Sequence, residues 1–354
     1  MLTQVAAGRT YDYSHSVGRG TQAGMGFNYP VAAAMGKGDL VYVLNRGTET
    51  ISNVAWNRTC VGARVSKVDV GTEAGEEEYV GEFSNYGDGD GQFIWGAGVA
   101  VDGQQNVYVS DEWLDRISVF DEDGNFLSRW SVLDTGEAGP YGAAGIALDG
   151  KGSIYVVGGR AHQVRKFTTD GKLEASWGRL GSGDGEFNAP WGIAIDQQDK
   201  VYVVDHLNHR VQKFTPDGQW LTQFGSYGTR QGELYYPSGV AVDPEGDVYV
   251  CDWSDNGMQP GRVHVFNAEG GFIISLIGDA QQLSKWAQMT VDANVDVFKA
   301  RRRVRSTEPE WRFAMPTGVV FDSVKGRLLV VDGQRSRLQI YNKVQDYTPA
   351  QLNL

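Results

Sequence analysis

The sequence predicts an all-β fold in which six small antiparallel sheets close into a ring. Three observations lead to this prediction: short apolar runs bounded by turn formers, a repeat of 47 residues, and a match between the N-terminal stretch and the last strand of a repeat unit. Because the linked units cover most of the chain, we expect a single domain over residues 1–354.

The stretch 186–225 shows the repeat unit most clearly. It contains four apolar runs rich in the β-branched and aromatic residues that favour strands: Gly192–Ile195, Val201–Val204, Val211–Phe214 and Trp220–Phe224. Turn formers such as Pro216-Asp217-Gly218 separate these runs. A meander of four short strands cannot bury both of its faces alone, so it requires neighbouring copies.

The copies are present at a constant spacing. Two sets of residues recur every 47 positions: Gly98, Gly145, Gly192 and Gly239 before an apolar strand, and Asp102, Asp149, Asp196 and Asp243 after it. Two less regular copies flank these four, one around 29–69 and one from Met315 to Tyr341. The chain therefore contains six units.

The N-terminal segment is expected to complete the last unit. Residues 10–14 lead through a glycine-rich connection to Tyr29-Pro30, just as Leu221–Phe224 leads to Tyr236-Pro237. A strand at about 9–16 would then pair with three strands at the C-terminus. Such closure protects the strand edges that an open array would expose.

The repeat resembles a known family. The pattern P-x-G-[IV]-A-[IV]-D, followed by V-Y-V-x-D-x-x-N-x-R-[IV]-x-x-F, is similar to the NHL repeat, and 190–225 matches nearly every position. The third unit departs from it with Gly158 in place of the usual Asp, and the first unit, 29–83, matches least. This resemblance implies a six-bladed β-propeller of four-stranded antiparallel blades. Among enzymes, the general appearance is nearest to the peptidyl-α-hydroxyglycine amidating lyase group.

Three insertions interrupt the repeats, at about 48–64, at Asn256–Pro260 and at about 279–313, before the last blade. In a propeller all three fall on one face, where long insertions commonly form binding loops or lids. Drift tolerated at the surface is the alternative. The last insertion is predicted to be partly helical from its apolar spacing. Its basic run, 299–305, is either a solvated segment or an edge that docks an anion or a partner.

The residues that follow each second strand are expected to surround the mouth of the central channel. Glu112 and His206 are the predicted catalytic pair, because histidine titrates near neutral pH and burial can bring a glutamate toward it. The predicted substrate-binding residues provide aromatic walls and a few charges: Arg46, Trp113, Arg160, Trp191, Trp253, Asp255 and Arg335. By contrast, Asp205, Asn208 and Arg210 belong to the repeat itself and are expected to tie strands together.

No ligand set for a metal is evident. The resemblance to the amidating lyases implies zinc held by histidines of several blades and calcium held by carbonyl groups near the channel. Of the five histidines only His206 falls at a channel-facing position, so that zinc site is not carried over. A mixed Glu112/His206/Asp255 site for a divalent metal stays open as an alternative. The Asp88–Gly91 segment resembles the start of a calcium loop, but its parallel at 182–185 indicates an ordinary blade connection.

The composition limits the partners. A net charge of −12 argues against nucleic acid, although some NHL propellers bind RNA. The sequence shows neither a secretory leader nor an apolar run of about 18 residues, so we expect a cytoplasmic location and no membrane partner. Cys60 and Cys251 are too few for a disulfide framework.

These features favour an enzyme that acts on a small molecule, a lyase, hydrolase or isomerase using acid/base chemistry. The ligand would enter a pocket at the channel mouth, on the face that carries the insertions. The alternative is a propeller without catalytic activity that docks a protein, including another copy of this chain. This alternative rests on the lack of any complete catalytic motif in the sequence.

Overall fold

A computed structural model describes residues 3–51, 58–133, 139–253, 261–294, 296, 299 and 311–344. The strands are, in chain order, β1 (Thr3–Ala6), β2 (Arg9–Val17), β3 (Pro30–Met35), β4 (Leu40–Asn45), β5 (Thr48–Ile51), β6 (Arg58–Val61), β7 (Arg64–Asp69), β8 (Glu78–Phe83), β9 (Gly96–Val101), β10 (Val107–Asp111), β11 (Arg116–Phe120), β12 (Phe126–Ser131), β13 (Ala143–Leu148) and β14 (Ile154–Gly158). The remaining strands are β15 (Gln163–Phe167), β16 (Leu173–Trp177), β17 (Pro190–Ile195), β18 (Val201–Asp205), β19 (Arg210–Phe214), β20 (Trp220–Phe224), β21 (Pro237–Val242), β22 (Val248–Asp252), β23 (Arg262–Phe266), β24 (Phe272–Leu276), β25 (Pro316–Asp322), β26 (Arg327–Asp332) and β27 (Arg337–Val344).

The predicted six-bladed propeller is confirmed. Its six blades are the sheets β3-β4-β7-β8, β9-β10-β11-β12, β13-β14-β15-β16, β17-β18-β19-β20, β21-β22-β23-β24 and β25-β26-β27-β2-β1. The first strand of each blade contacts the first strands of the two neighbouring blades, so these six strands surround the central axis. All pairings within the blades are antiparallel.

The hydrophobic core lies between adjacent blades. The second strand β18 is fully buried on both faces, whereas the outermost strand β20 of the same blade is largely exposed. One core cluster combines Tyr202 and Val204 of the fourth blade with Val250 and Phe266 of the fifth. Each blade therefore buries its apolar faces only by packing against its neighbours.

The ring closes as the sequence predicts, with one additional strand. β2 pairs with β27, from Thr10 opposite Val344 to Val17 opposite Leu338. The short strand β1 then pairs with β2 and makes the last blade five-stranded. Closure thus joins the N-terminal and C-terminal parts of the chain through backbone hydrogen bonds.

A carboxylate at the end of the second strand fixes the loop that leads into each regular blade. Asp205 accepts a hydrogen bond from the Asn188 amide (2.7 Å) and pairs with Arg210 (2.8 Å). Asn208 donates to the same carboxylate (2.8 Å). The structural role predicted for these three residues is confirmed, and Arg337 pairs with Asp332 in the same way (3.0 Å).

Two described insertions add structure to the propeller. The hairpin β5–β6 follows the second strand of the first blade, and helix α1 (Lys285–Ala293) follows the fifth blade. Ser284 caps α1, and the buried Trp286 packs against Phe27 and Tyr79. The expected helical part of the last insertion is therefore present. The insertion at 256–260 and nearly all of the basic run 299–305 lie outside the described residues.

Two global expectations can be compared with the described residues. No helix among them is long and apolar enough to cross a bilayer. Cys60 lies on β6 of the first blade and Cys251 on β22 of the fifth, and no disulfide joins them.

Candidate functional site

Glycines make the centre of the propeller narrow. A Cβ atom on Gly192 would lie 2.2 Å from the Ser238 carbonyl oxygen, and one on Gly145 would lie 2.5 Å from the Trp191 carbonyl oxygen. These glycines therefore let neighbouring inner strands approach closely. The central cavity measures about 80 Å³, well below the roughly 300–1,000 Å³ of ordinary ligand pockets. A ligand larger than a few waters would bind at the mouth of the channel.

The polar side chains of the channel lining are already engaged. Ser238 donates to the Pro316 carbonyl (3.2 Å), and Thr317 donates to the Pro30 carbonyl (3.1 Å). Trp191 is the one large side chain among the residues that line the cavity, and it is half-buried. The described lining thus offers mainly backbone and apolar surface.

One side of the mouth, formed by the first three blades, holds a carboxylate between two arginines. Glu112 lies 2.9 Å from the Arg46 guanidinium and 3.7 Å from the Arg160 guanidinium. The Arg46 guanidinium also lies over the Trp95 ring, 4.9 Å from its centroid. Trp95 donates from its indole Nε1 to Glu49 of the hairpin β5–β6 (2.7 Å), so this insertion reaches the site.

The other side, formed by the fourth and fifth blades, holds a histidine among aromatic rings. His206 begins a single 3₁₀ turn directly after β18. Its ring stacks on Tyr236 with 5.6 Å between centroids, and Trp253 (5.5 Å) and Trp191 (6.5 Å) also contact it. Burial of the ring lowers the pKa of His206, although the Pro237 carbonyl acts in the opposite direction.

The hydrogen bond of His206 fixes its tautomer. Nδ1 lies 2.7 Å from the Pro237 carbonyl oxygen. Because a carbonyl oxygen only accepts, Nδ1 must carry the proton, and Nε2 is then the basic nitrogen of the neutral ring. With its pKa lowered, the imidazole is neutral at pH 7 and able to take up a proton at Nε2.

The structure divides the predicted site residues into groups. It brings Arg46, Glu112 and Arg160 together, and it brings Trp191, His206 and Trp253 together. Among the described residues no contact joins Glu112 to His206, so a substrate would have to reach both sides of the mouth for the predicted pair to act together.

Of the three other predicted site residues, one adjoins the Glu112 side of the mouth, one lines a separate cavity and one lies outside the described residues. Trp113 is about half exposed and packs against Trp95 with 5.0 Å between the ring centroids. Arg335 lines a separate cavity of about 380 Å³ between the last blade and α1. Asp255 lies outside the described residues.

Sequence reasoning missed Trp95, Tyr236 and Glu49. Trp95 and Tyr236 each stand immediately before an inner strand, at equivalent positions of the second and fifth units. That shared aromatic character was the available signal. Glu49 belongs to an insertion without a counterpart in the other units, so no periodicity could indicate it.

The described residues bring no three His, Cys, Asp or Glu side chains together in a metal-binding arrangement. The Asp88–Gly91 segment is the connection between two blades, as predicted. Its carbonyl groups at Asp88 and Gly89 accept hydrogen bonds from Arg116 (both 2.8 Å). The corresponding connection between the third and fourth blades contains an isolated β-bridge between Leu180 and Phe187.

Comparison with known proteins agrees with this architecture. The model of the NHL repeat matches residues 187–214 and 234–258. A comparison with curated protein sequences found no significant match. A catalytically inactive variant of virginiamycin B lyase from Staphylococcus aureus, solved with quinupristin, is 12% identical with a TM-score of 0.53, over 96% of this chain and 89% of that one. A streptogramin B lyase structure is also 12% identical, with a TM-score of 0.52 over 94% of this chain and 98% of that one.

Similarity at this level of identity extends to the fold. The repeat match falls on the fourth and fifth blades, which are the blades that provide His206, Tyr236 and Trp253. The chain is a six-bladed β-propeller that contains NHL repeats.

Proposed function

We propose that this chain is an enzyme that acts on a small molecule, with His206 as the general base at the channel mouth. The observation that carries the proposal is the fixed tautomer of His206, which leaves Nε2 as the basic nitrogen of a ring packed among Trp191, Tyr236 and Trp253. A neutral, oriented imidazole in a partly apolar site suits proton abstraction near pH 7.

The arginines opposite His206 complement this role. Arg46 and Arg160 are positioned by Glu112 and carry the donors that stabilise negative charge on an oxygen atom. Removal of a proton next to a carbonyl group develops such a charge on the carbonyl oxygen. We therefore favour a lyase or isomerase reaction. In the lyase case the proton moves to Nε2, and the electron pair of the broken C–H bond forms a carbon–carbon double bond as the leaving group departs.

The substrate can be sought with a defined set of compounds. The fold is shared with a virginiamycin B lyase solved with quinupristin, so quinupristin is a reasonable first compound to test, beside other esters and lactones with an acidic hydrogen next to the carbonyl group. Mass spectrometry separates the reaction types, because hydrolysis adds the mass of one water to the products and elimination or isomerisation does not.

Substitution of His206 tests the catalytic assignment. His206→Gln should lower kcat/KM about 100-fold or more, the usual contribution of a general base, without loss of folding. His162→Asn is the control, since His162 is a histidine of the third blade whose described hydrogen bond is with the Ala189 amide. Equal turnover by wild type and His206→Gln would contradict the proposal.

A role for Glu112 as the anchor of the arginines predicts a different kinetic change. Glu112→Gln keeps the size of the side chain but removes the charge that holds Arg46 and Arg160. We expect kcat/KM to fall because the transition state is less stabilised. The acid limb of the pH profile of kcat/KM should stay unchanged, because His206 remains the titrating base. A shift of that limb would instead make Glu112 part of the acid/base pair.

Docking of a second copy is the other candidate function. Leu180 and Leu207 are 63% and 44% exposed, and their loops are joined by Asn208, which donates to the Gly181 carbonyl (2.8 Å). Exposed apolar residues that lie together are typical of interfaces. Light scattering on wild type and Leu180→Ser/Leu207→Ser tests this, and a monomer at high concentration would contradict it.

A further inference from the structure

A continuous row of rings leads from the channel mouth toward the outer edge of the propeller. This aromatic strip consists of six residues at the junction of the fourth and fifth blades: His206, His209, Tyr227, Tyr235, Tyr236 and Trp253. It begins beside Trp191, which lines the channel, and ends at Tyr227, in the connection that follows the outermost strand β20.

Each ring of the strip contacts the next. From the mouth outward, the centroid distances are 5.5 Å between Trp253 and His206, 5.6 Å between His206 and Tyr236, 4.6 Å between Tyr236 and Tyr235, and 5.6 Å between Tyr235 and Tyr227. His209 packs against Tyr227 at 4.7 Å and holds the Tyr235 carbonyl through Nδ1 (2.6 Å). The outer rings are thus fixed in position before any ligand binds.

Solvent reaches the strip, but its rings leave no room for a partner's side chain between them. Tyr227 is 65% exposed, and Tyr235 and Tyr236 are half-buried. Because neighbouring rings are already in contact, no side chain of a partner can enter between them. A ligand would have to lie along the outer surface of the strip, where the ring planes differ by 81° between Tyr236 and Tyr235 and by 35° between Tyr235 and Tyr227.

The chemistry of the strip selects the ligand. Its tyrosines and tryptophan present aromatic ring surfaces, and the tyrosine hydroxyl groups add hydrogen-bonding capacity along the row. A row of apolar rings whose planes turn from one to the next, bordered by hydroxyl groups, matches a twisted chain of pyranose rings, each of which has an apolar C–H face and a hydroxyl edge. The net charge of −12 disfavours an acidic glycan.

From these observations we propose that the aromatic strip binds a neutral carbohydrate chain and directs its end to the channel mouth. This inference rests on the proposed function, because it names the substrate class of the same site: in a neutral glycan the reducing end, as its open-chain aldehyde, has the hydrogen next to a carbonyl group that His206 would remove. A proline-rich peptide is the competing ligand for aromatic surfaces, but such peptides insert their prolines into grooves between aromatic side chains. In the strip, neighbouring rings already pack against each other, with 4.6–5.6 Å between centroids.

Titration with neutral oligosaccharides tests the proposal. Xylohexaose, mannohexaose and cellohexaose are titrated into the full-length protein, with binding followed by calorimetry and by tryptophan fluorescence. At least one should bind, and longer chains should bind more tightly than the monosaccharide. Tyr227→Ala and Tyr235→Ala should each weaken binding about tenfold, because each removes a stacking face.

Tyr86→Ala is the matched control. Tyr86 occupies the equivalent position between the first and second blades, as shown by its bridge to Phe93 beside that of Tyr227 to Leu234. It lies outside the strip, so its substitution should leave binding unchanged. Equal loss in Tyr86→Ala and Tyr227→Ala would overturn the proposal.

Two further outcomes would also overturn it: no binding of any of the three oligosaccharides, or tight binding of a proline-rich peptide that Tyr227→Ala abolishes and that none of them displaces. Failure here leaves the catalytic proposal standing if turnover of a small substrate still depends on His206. Conversely, sugar binding through Tyr227 with no turnover would support the strip and count against catalysis.

Discussion

Asp115 of the second blade replaces a carboxylate that Gly158 of the third blade lacks. It accepts the backbone hydrogen bonds of the loop that leads into the third blade. Asp115 binds the amides of Tyr141 (3.0 Å) and Gly142 (2.6 Å), which lead into the third blade. Regular blades use the carboxylate that ends their own second strand, as Asp205 does in the fourth. The Tyr141 ring occupies the place where a Gly158 side chain would begin, 2.5 Å from its Cβ position.

This relationship predicts that Asp115→Ala destabilises the junction of the second and third blades. The substitution leaves buried amides without an acceptor, which costs about 1–3 kcal/mol in free energy of unfolding. Urea denaturation measures the change. Asp199→Ala is the control, because Asp199 has the same left-handed backbone but caps no such loop. Equal losses in both variants would assign the effect to the backbone conformation.

The fold could be predicted because the 47-residue period states the blade boundaries directly. The period could not show that a side chain of one blade replaces a side chain that is missing from the next blade. Gly158 is a departure within its own unit, and only the ring arrangement brings Asp115 beside it. Strand β1 was also not predicted, since four residues with no counterpart in the other units carry no periodic signal.

The candidate site was predicted less completely than the fold. The position of His206 after a second strand follows from the repeat, but its neighbour Tyr236 belongs to the next blade. In the last blade Gly333 has the equivalent position, and Arg335, two residues later, lines the cavity beside α1. Insertions have no repeat to compare with, so the side chains that contact them cannot be placed from periodicity.

The close approach of the inner strands makes Gly192→Ala a sensitive substitution. The added Cβ would lie 2.2 Å from the Ser238 carbonyl oxygen, which belongs to the next inner strand and cannot move independently. We expect a loss of about 1–3 kcal/mol in free energy of unfolding, as for other overpacked cores. Gly103→Ala is the matched control, because nothing lies within 4 Å of its Cβ position. Similar stability of the two variants in urea would contradict the steric argument.

A buried ion cluster joins the fifth blade to the last blade, beside the N-terminal strand β2. Lys343 of β27 pairs with Asp243 and with Asp247 (2.9 Å), and all three side chains are almost fully buried. Burial alone would lower the pKa of Lys343, but hydrogen bonds with Asp243 and Asp247 raise it overall.

Lys343→Met should therefore destabilise the protein strongly. The substitution removes the positive charge that pairs with the buried carboxylates of Asp243 and Asp247, which costs about 3–5 kcal/mol in free energy of unfolding. Lys325→Met is the control: its partner Asp39 lies at the surface and keeps Arg327, so we expect at most about 1 kcal/mol. Comparable losses in the two variants would show that the buried cluster contributes no more to stability than the surface pair.

Buried histidines predict that stability falls as the pH is lowered. Burial lowers the pKa of His264, although Asp252, 3.6 Å away, acts in the opposite direction and Arg262 adds to the lowering. The unfolded chain takes up a proton below about pH 6.5, while the folded ring stays neutral to lower pH. Protonation therefore favours the unfolded state, and stability is lost as the pH falls from about 6.5 toward the lowered folded pKa.

His264→Gln isolates this contribution. Gln212 and Gln339 stand at the equivalent positions of the fourth and sixth blades, so glutamine fits the fold there. The stability of wild type relative to His264→Gln should decrease between about pH 7.5 and about pH 5.5, by at most about 1.4 kcal/mol per pH unit. Urea unfolding of both proteins across this range measures the difference. A difference that stays constant with pH would mean that His264 binds protons equally in the folded and unfolded states.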